Sequence, residues 1–388
     1  MAPLDMLQLP SELDGSLGAN RAKCLSQITA DKDIEAVAAW LAQFADSPAT
    51  FSNYRKEAER LLLWAVFERG KPLSSLANED FLAYRVFLMD PQPTDRWVQA
   101  GGKRLSRAHA QWRPFAGPLS MASVRQALVT LNVMLSWLVE AGYLAGNPLA
   151  LSRHRRRHAA PRVTRYLDNN LWAEVVATIE ALPRDTRRAC ERADRIRWLF
   201  SLFYLAGVRI SEVANNTMGG FFERSTSDGS RWWLDIIGKG NKQRLVPVST
   251  ELMAELIRYR RSHDLTSLPY PGEMTPLVLP IGGRNVPLKR AALHEIVKEV
   301  FNLTAQRAAL SDPSPGGQAR AERLQQASAH WLRHTAGTHM ANAGVDLRFL
   351  RDNLGHENLT TSSGYLHSED DARHQATTTA LRIDWHQP

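Results

Sequence analysis

Residues 153–165 hold six arginines, two histidines and no acid, and that run rules out one continuous core. Unpaired guanidiniums are costly to take out of water, and packed this densely they repel one another. Helical patterning stops before the run, at Gly146, Asn147 and Pro148, and resumes after it. The chain is therefore expected to fold as two bodies. One is a helical domain over 31–152, preceded by an arm or short helix at 1–30. The other covers 166–369 and is followed by a tail at 370–388, with 153–165 as the linker. The chain's 388 residues and 44% apolar content are enough for two sizeable cores. Arg153, Arg155, Arg156, Arg157, Arg162 and Arg165 read as a solvated segment or, as we prefer, as a strip that lies along a phosphate backbone and displaces its counterions.

A formal charge of +8 makes polyanions the natural partner. The two cysteines, Cys24 and Cys190, stand in no ligand-type spacing. That excludes a disulfide framework or structural zinc site and fits a reducing compartment. The N-terminal residues lack a secretory pattern, and no stretch reaches the roughly 18 apolar residues of a membrane span. A cytoplasmic protein without a membrane partner is expected.

Apolar spacing predicts four helices in the first domain. The first carries Ile34, Val37, Ala38, Leu41 and Phe44 on one face. The second carries Tyr54, Ala58, Leu61, Leu62, Ala65 and Val66 and stops at Gly70. The third runs over 78–89 with Asn78 as its N-cap. The fourth starts at Ser120 and carries Val124, Leu128, Leu131, Leu135 and Leu138. Between the last two, 90–118 reads as an inserted loop. Its Arg96, Lys103, Arg104, Arg107 and Arg113 beside Trp97 and Trp112 suit equally a DNA-facing insertion and a solvated loop with two tucked tryptophans.

In the second domain, helices are predicted over 168–181 and 187–206. A strand at 231–237 then pairs with 243–248 across a turn at 238–242. Helices over 251–262 and 289–309 flank a proline-rich connection at 268–287. A loop at 311–317 leads to a helical last third with glycine stops at Gly344 and Gly355. The fold class is mainly α with a small antiparallel β-sheet.

Six residues of this domain carry chemistry. Arg209 follows a buried-looking helix and a break at Gly207. A guanidinium there can fork onto two phosphate oxygens, or merely cap the turn by pairing with Glu212 at i+3. Lys239, at the hairpin tip, can hand a proton to a departing oxygen, with Lys242 and Arg244 nearby as backbone contacts. His330 and Arg333 are three apart on a helix and project the same way; together they can stabilise a pentacoordinate phosphorus. His334 and His339 are decoys. His330 and His334 form an i, i+4 pair, but the glutamate of a zinc-peptidase motif and a third ligand are missing, so no metal is expected. His356, after the Gly355 break, can bond a phosphate oxygen. Tyr365 is a phenol with a free pKa of about 10, a poor nucleophile unless cations or a base help it lose its proton. Taken singly, each residue has an ordinary structural reading. Taken together they form a cationic cradle beside a phenol, which points to phosphodiester chemistry.

The run from Ala329 through His330, Arg333 and His334, then Leu354, Gly355 and His356, then Tyr365 resembles the tyrosine recombinase, or phage integrase, family. It looks like Xer-type or phage- and transposon-borne members in particular, and the hairpin at 237–248 is similar as well. The resemblance implies a helical core-binding domain and a mixed α/β catalytic domain that clamp double-stranded DNA at an inverted-repeat core site. It implies a homo-tetramer on two duplexes, with an accessory DNA-binding protein or second recombinase as a further partner. No metal, ATP or other cofactor is implied. Tyr365 would be the nucleophile and Lys239 the general acid, while Arg209, Arg333, His330 and His356 bind the phosphate and move protons. The products would be a 3′-phosphotyrosine and then a Holliday junction, in integration, excision or resolution of mobile DNA. The tail, with Ala380, Leu381, Ile383 and Trp385, would dock on a neighbouring protomer. The sequence departs from the family pattern at 90–118, at 264–325, and at Gly364, where a glycine costs a helix about 1 kcal/mol and loosens the segment before the phenol. The competing readings are a catalytically inactive DNA-binding accessory protein and a type IB topoisomerase-like enzyme that relaxes DNA.

Overall fold

Caps and breakers set the helices of the N-terminal unit, Met1–Ala159. The computed structural model describes residues 3, 6–23, 25–102, 105–151, 165–227, 229–238, 240, 242–355, 374–375, 377–381 and 383. The first helix, α1 (Asp33–Ala42), is followed by α2 (Pro48–Arg69). Proline opens α2 and Gly70 closes it at φ +58°, as the fixed φ of one and the left-handed freedom of the other favour. The buried face of α1 is rotated from expectation: Ala36, Val37, Trp40 and Leu41 are buried and Ala38 is exposed. Trp40 takes the inward position because it stacks on Tyr54 at 5.1 Å.

The third helix, α3 (Asn78–Met89), has the expected bounds but another cap. Ala77 is the cap residue, and its N–H donates to Asp80 Oδ2 at 3.0 Å. Asp80 also receives Arg69 and Lys71. The insertion contains a short helix, α4 (Thr94–Trp97), and its tryptophans are tucked. Trp97 is fully buried and donates to Glu68 at 2.7 Å, and Trp112 is also buried. Lys103 and Arg104 lie outside the described residues. Ser120 caps α5 (Met121–Glu140), accepting from the Ser123 N–H. By length and composition α5 is the one described helix able to cross a membrane, although Arg125, Gln126, Thr130 and Asn132 interrupt its apolar residues. Its Val124, Ala127, Leu131, Met134, Leu135 and Leu138 lie in the core. The N-terminal arm forms no α-helix among its described residues. It is strapped to this unit by Asn20 N–H to the Ser74 carbonyl and Ala22 N–H to the Tyr143 carbonyl.

The second unit, Ala160–Pro388, opens with α6 (Asn169–Glu180) and α7 (Arg187–Leu205), capped by Asp168 and Thr186. Helix α7 runs through the centre: Trp198, Leu199, Phe200, Leu202 and Phe203 are fully buried. Then come α8 (Ile210–Asn215) and an antiparallel sheet, β1 (Phe221–Thr226), β2 (Gly229–Ile237) and β3 (Gln243–Pro247), in the order β1-β2-β3. Leu234 lies opposite Phe221 on one side and Val246 on the other. The β2–β3 hairpin matches its expectation, whereas β1 was not anticipated. Helices α9 (Thr250–Ser262), α10 (Arg290–Ser311), α11 (Pro315–Gln326), α12 (Ala329–Asn342) and α13 (Leu347–Leu354) follow.

The loop expected at 311–317 is shorter than predicted, because Ser314 caps α11 and Pro315 starts it. The proline-rich connection is pinned by a buried pair, Arg260 and Glu273 at 2.8 Å. Further bonds run from Arg260 to Thr266 and Leu268, so the buried charge is satisfied. The described tail residues Leu381 and Ile383 lie in the core of their own unit. The Ile383 N–H donates to Glu251 at 2.6 Å.

Candidate active site

At the end of α7 the chain must turn sharply to start α8, and Gly207 makes the turn at φ +58°. A Cβ there would meet Leu354 Cδ2 at 2.8 Å, so conformation and space both call for glycine. We expect Gly207→Ala to cost about 2 kcal/mol or more, from left-handed strain plus overpacking, read by thermal unfolding. An unchanged melting temperature would show that the turn has slack.

The turn delivers Arg209 as the cap residue of α8. Its backbone N–H donates to Glu212 Oε2 at 2.7 Å, its Nη1 to Glu212 Oε1 at 2.9 Å, and its Nη2 to the Gly355 carbonyl at 2.8 Å. The i+3 pairing is therefore real, but the guanidinium also reaches the end of α13. Arg244, on β3, places Nη1 and Nη2 on the same carboxylate and Nε on the Asn353 carbonyl. With 12% of its side chain exposed, Arg244 braces this cluster. Glu212 is buried, its side chain 1% exposed. Burial alone would raise its carboxyl, but the bonds and charge of Arg244, then those of Arg209, hold it below the usual value.

Arg333, on α12, is 3% exposed. Its Nη1 donates to the Gly207 carbonyl, and its buried Nη2 has no partner among the described residues. Burial, then the charges of Arg209 and Arg244, push its guanidinium down to about 9. His330, on the first turn of the same helix, is exposed and packs edge-to-face on His334 at 4.3 Å. Desolvation of the ring, then the charges of Arg333, Arg209 and Arg165, hold it below 6.5. The imidazole is thus kept neutral at neutral pH, able to accept a proton.

The described structure brings Arg209, Arg244, Arg333 and, through its electrostatic coupling, His330 into one neighbourhood. Lys239, His356 and Tyr365 lie outside the described residues, as do Arg153, Arg155, Arg156, Arg157 and Arg162. Two flanking glycines abut the cluster. A Cβ on Gly238 would lie 3.1 Å from Glu212 Oε1, and one on Gly355 would lie 2.9 Å from Arg244 Cδ. Asn216 holds the strand end that leads to Lys239, bonding the Ile237 N–H and carbonyl at 2.9 and 3.0 Å. Lys242 is exposed.

Sequence reasoning missed Glu212 as the hub and Asn216 as the clamp. The signal for Glu212, an acid three residues past Arg209, was visible and was read only as a cap. His339 serves structure: it takes the Tyr204 hydroxyl at 2.9 Å on Nδ1 and reaches the Leu167 carbonyl at 3.1 Å through Nε2. Among the described residues no group of three His, Cys, Asp or Glu could hold a metal.

Converging guanidiniums, one of them buried with an open N–H edge, favour an oxyanion such as a phosphate between them. A mixed helical unit carrying such a site has the form of a phosphoryl-transfer domain. A model described as the phage integrase family matches residues 174–372, about half of the chain, and the chain belongs to that family as a tyrosine-type site-specific recombinase. It is 28% identical over 274 residues to tyrosine recombinase XerC of Xylella fastidiosa strain 9a5c, covering 69% of this chain and 79% of that one. It is 28% identical over 302 residues to tyrosine recombinase XerD of Shewanella oneidensis, covering 75% and 87%. Among solved structures, the XerH site-specific recombinase bound to palindromic difH substrate, a post-cleavage complex, matches with a TM-score of 0.55. The identity is 17%, over 89% of this chain and 80% of that one, and the likeness is one of fold.

Proposed function

We propose that this recombinase cuts and rejoins double-stranded DNA in the cytoplasm through a covalent link to Tyr365. Arg209 and Arg333 grip the non-bridging oxygens of the scissile phosphate, and His356 adds a further bond. The neutral His330 accepts a proton as the phenol attacks phosphorus. The bond from phosphorus to the 5′ oxygen breaks, and Lys239 protonates the departing oxygen. The 3′-phosphotyrosine keeps the ester energy, so a 5′-hydroxyl from a second duplex can reverse the step without ATP or metal. Two such exchanges, through a Holliday junction in a tetramer, integrate, excise or resolve mobile DNA at an inverted-repeat site. The carrying observation is geometric: Arg333 is buried with an Nη2 that has no partner among the described residues, beside the guanidiniums of Arg209 and Arg244 that converge on the end of α13, an arrangement an arriving phosphate would complete.

The test is a nicked suicide duplex built on an inverted repeat with a short spacer from the DNA flanking the gene. Wild type is expected to leave a denaturation-resistant protein–DNA adduct, and Tyr365→Phe none. An adduct formed equally well by Tyr365→Phe would overturn the assignment of the nucleophile. Recombination of paired sites, rather than relaxation alone, is the expected outcome of a full reaction.

A further inference from the structure

The insertion between α3 and α5 does more than bury two tryptophans. With the first half of α2 it encloses a pocket of about 160 Å3 lined by Ser52, Arg55, Lys56, Arg107, Trp112 and Arg113, among others. Drug-sized ligands need about 300–1,000 Å3, so this space suits one small, compact group.

Its charge is one-sided. Lys56 meets Glu57 at 2.9 Å, and Glu57 is shared with the buried Arg60 at 3.2 Å. Arg107 pairs with Glu59. Among the described residues no carboxylate pairs with Arg55 or Arg113. Arg113 is instead held by the carbonyls of Asp95 and Trp112, each at 2.9 Å, and Arg55 lies over the Phe51 ring at 5.3 Å. These contacts fix the two guanidiniums in place without neutralising them. The described lining thus holds four cations (Arg55, Lys56, Arg107, Arg113) and no carboxylate, with Glu57 and Glu59 pairing two of the four from behind it. The buried rings of Trp112 and Phe115 supply the apolar part of the lining.

We propose that this pocket takes one phosphodiester of the DNA backbone, a phosphate other than the one that reacts. It would set the register of the N-terminal unit on the duplex, as phosphate contacts do. The inference rests on the reading of the chain as a DNA-acting enzyme.

Binding of the full chain to a random-sequence duplex, followed by fluorescence anisotropy across a salt series, separates the two ideas. Failure of the wild type to bind any duplex overturns the DNA reading itself. Given binding, the double variant Arg55→Gln, Arg113→Gln should flatten the log–log salt slope by about 0.9, the value for one phosphate no longer neutralised. Arg55→Gln alone, which breaks no described hydrogen bond, guards against misfolding and should flatten it in the same direction by up to about 0.9. Slopes equal to wild type overturn the pocket and leave the DNA reading standing. Thermal unfolding with inorganic phosphate provides the second arm. A stabilisation lost in the double variant, with DNA slopes unchanged, would mean a free anion is the ligand and would overturn the backbone assignment.

Discussion

Arg333→Met is expected to make the protein harder to unfold and nearly unable to form the covalent DNA adduct. Arg333 is buried at 3% exposure, holds one backbone carbonyl, and carries a charge depressed to about 9 by burial and by its cationic neighbours. Exchanging buried ionic groups for well-packed apolar ones is often neutral or stabilising by about 1–4 kcal/mol. Adduct formation should fall about 100- to 1,000-fold, the usual cost of losing one preorganised charge-stabilising donor. The sign of the pH dependence follows from the shift. The unfolded chain holds this proton more tightly than the folded one, so the penalty is present in full below about pH 9 and eases as pH rises above that value. The stability advantage of Arg333→Met should therefore shrink above about pH 9. Melting temperature against pH, with adduct yield on the same preparations, checks both. A less stable variant that reacts at the wild-type rate would sink the assignment.

Glu212→Ala is expected to fail in the opposite way, losing stability and activity together. Its buried carboxylate is the anion that receives both Arg209 and Arg244. Without it, these cations and Arg333 face one another uncompensated. Removing one partner of a buried pair costs about 3–5 kcal/mol. The carboxyl is held below 4.5 in the folded state. Its contribution is therefore present above that value and is lost as pH falls through the lower folded value. Glu212→Gln, which keeps the shape and an acceptor for the Arg209 N–H, should fall between wild type and Glu212→Ala. Denaturant unfolding measures the loss, and a change within about 0.5 kcal/mol, typical of an uninvolved surface site, would show that Glu212 is no hub.

Much of the helical framework was legible because its causes are local. Ser120, Asp168 and Thr186 cap their own helices, and Gly70 and Gly355 end theirs. Strand β1 was not, because Phe221 is its one fully buried residue and so leaves little apolar alternation to read. The turn signal of the Asp228-Gly229 pair, where β2 begins, was there to find. Helix α11 hid behind a proline and two glycines that normally mark a loop, and burial of Ala321 and Leu324 overrode them. Arg244 read as a cation for a DNA backbone, while its bonds go to a buried acid 32 positions away.

The residue types, the i+3 pairs, the glycine turns and the excess of positive charge belong to the sequence, and they were enough to name phosphodiester chemistry and the family. Which cation is buried, which is braced by a carboxylate, and which keeps an open N–H edge was decided by the tertiary structure alone. Arg209 reaches a carbonyl 146 positions away, and Arg333 one 126 positions away. Electrostatic energy depends on separation and on exclusion of water, and neither exists until α8, β3, α12 and the end of α13 have packed together.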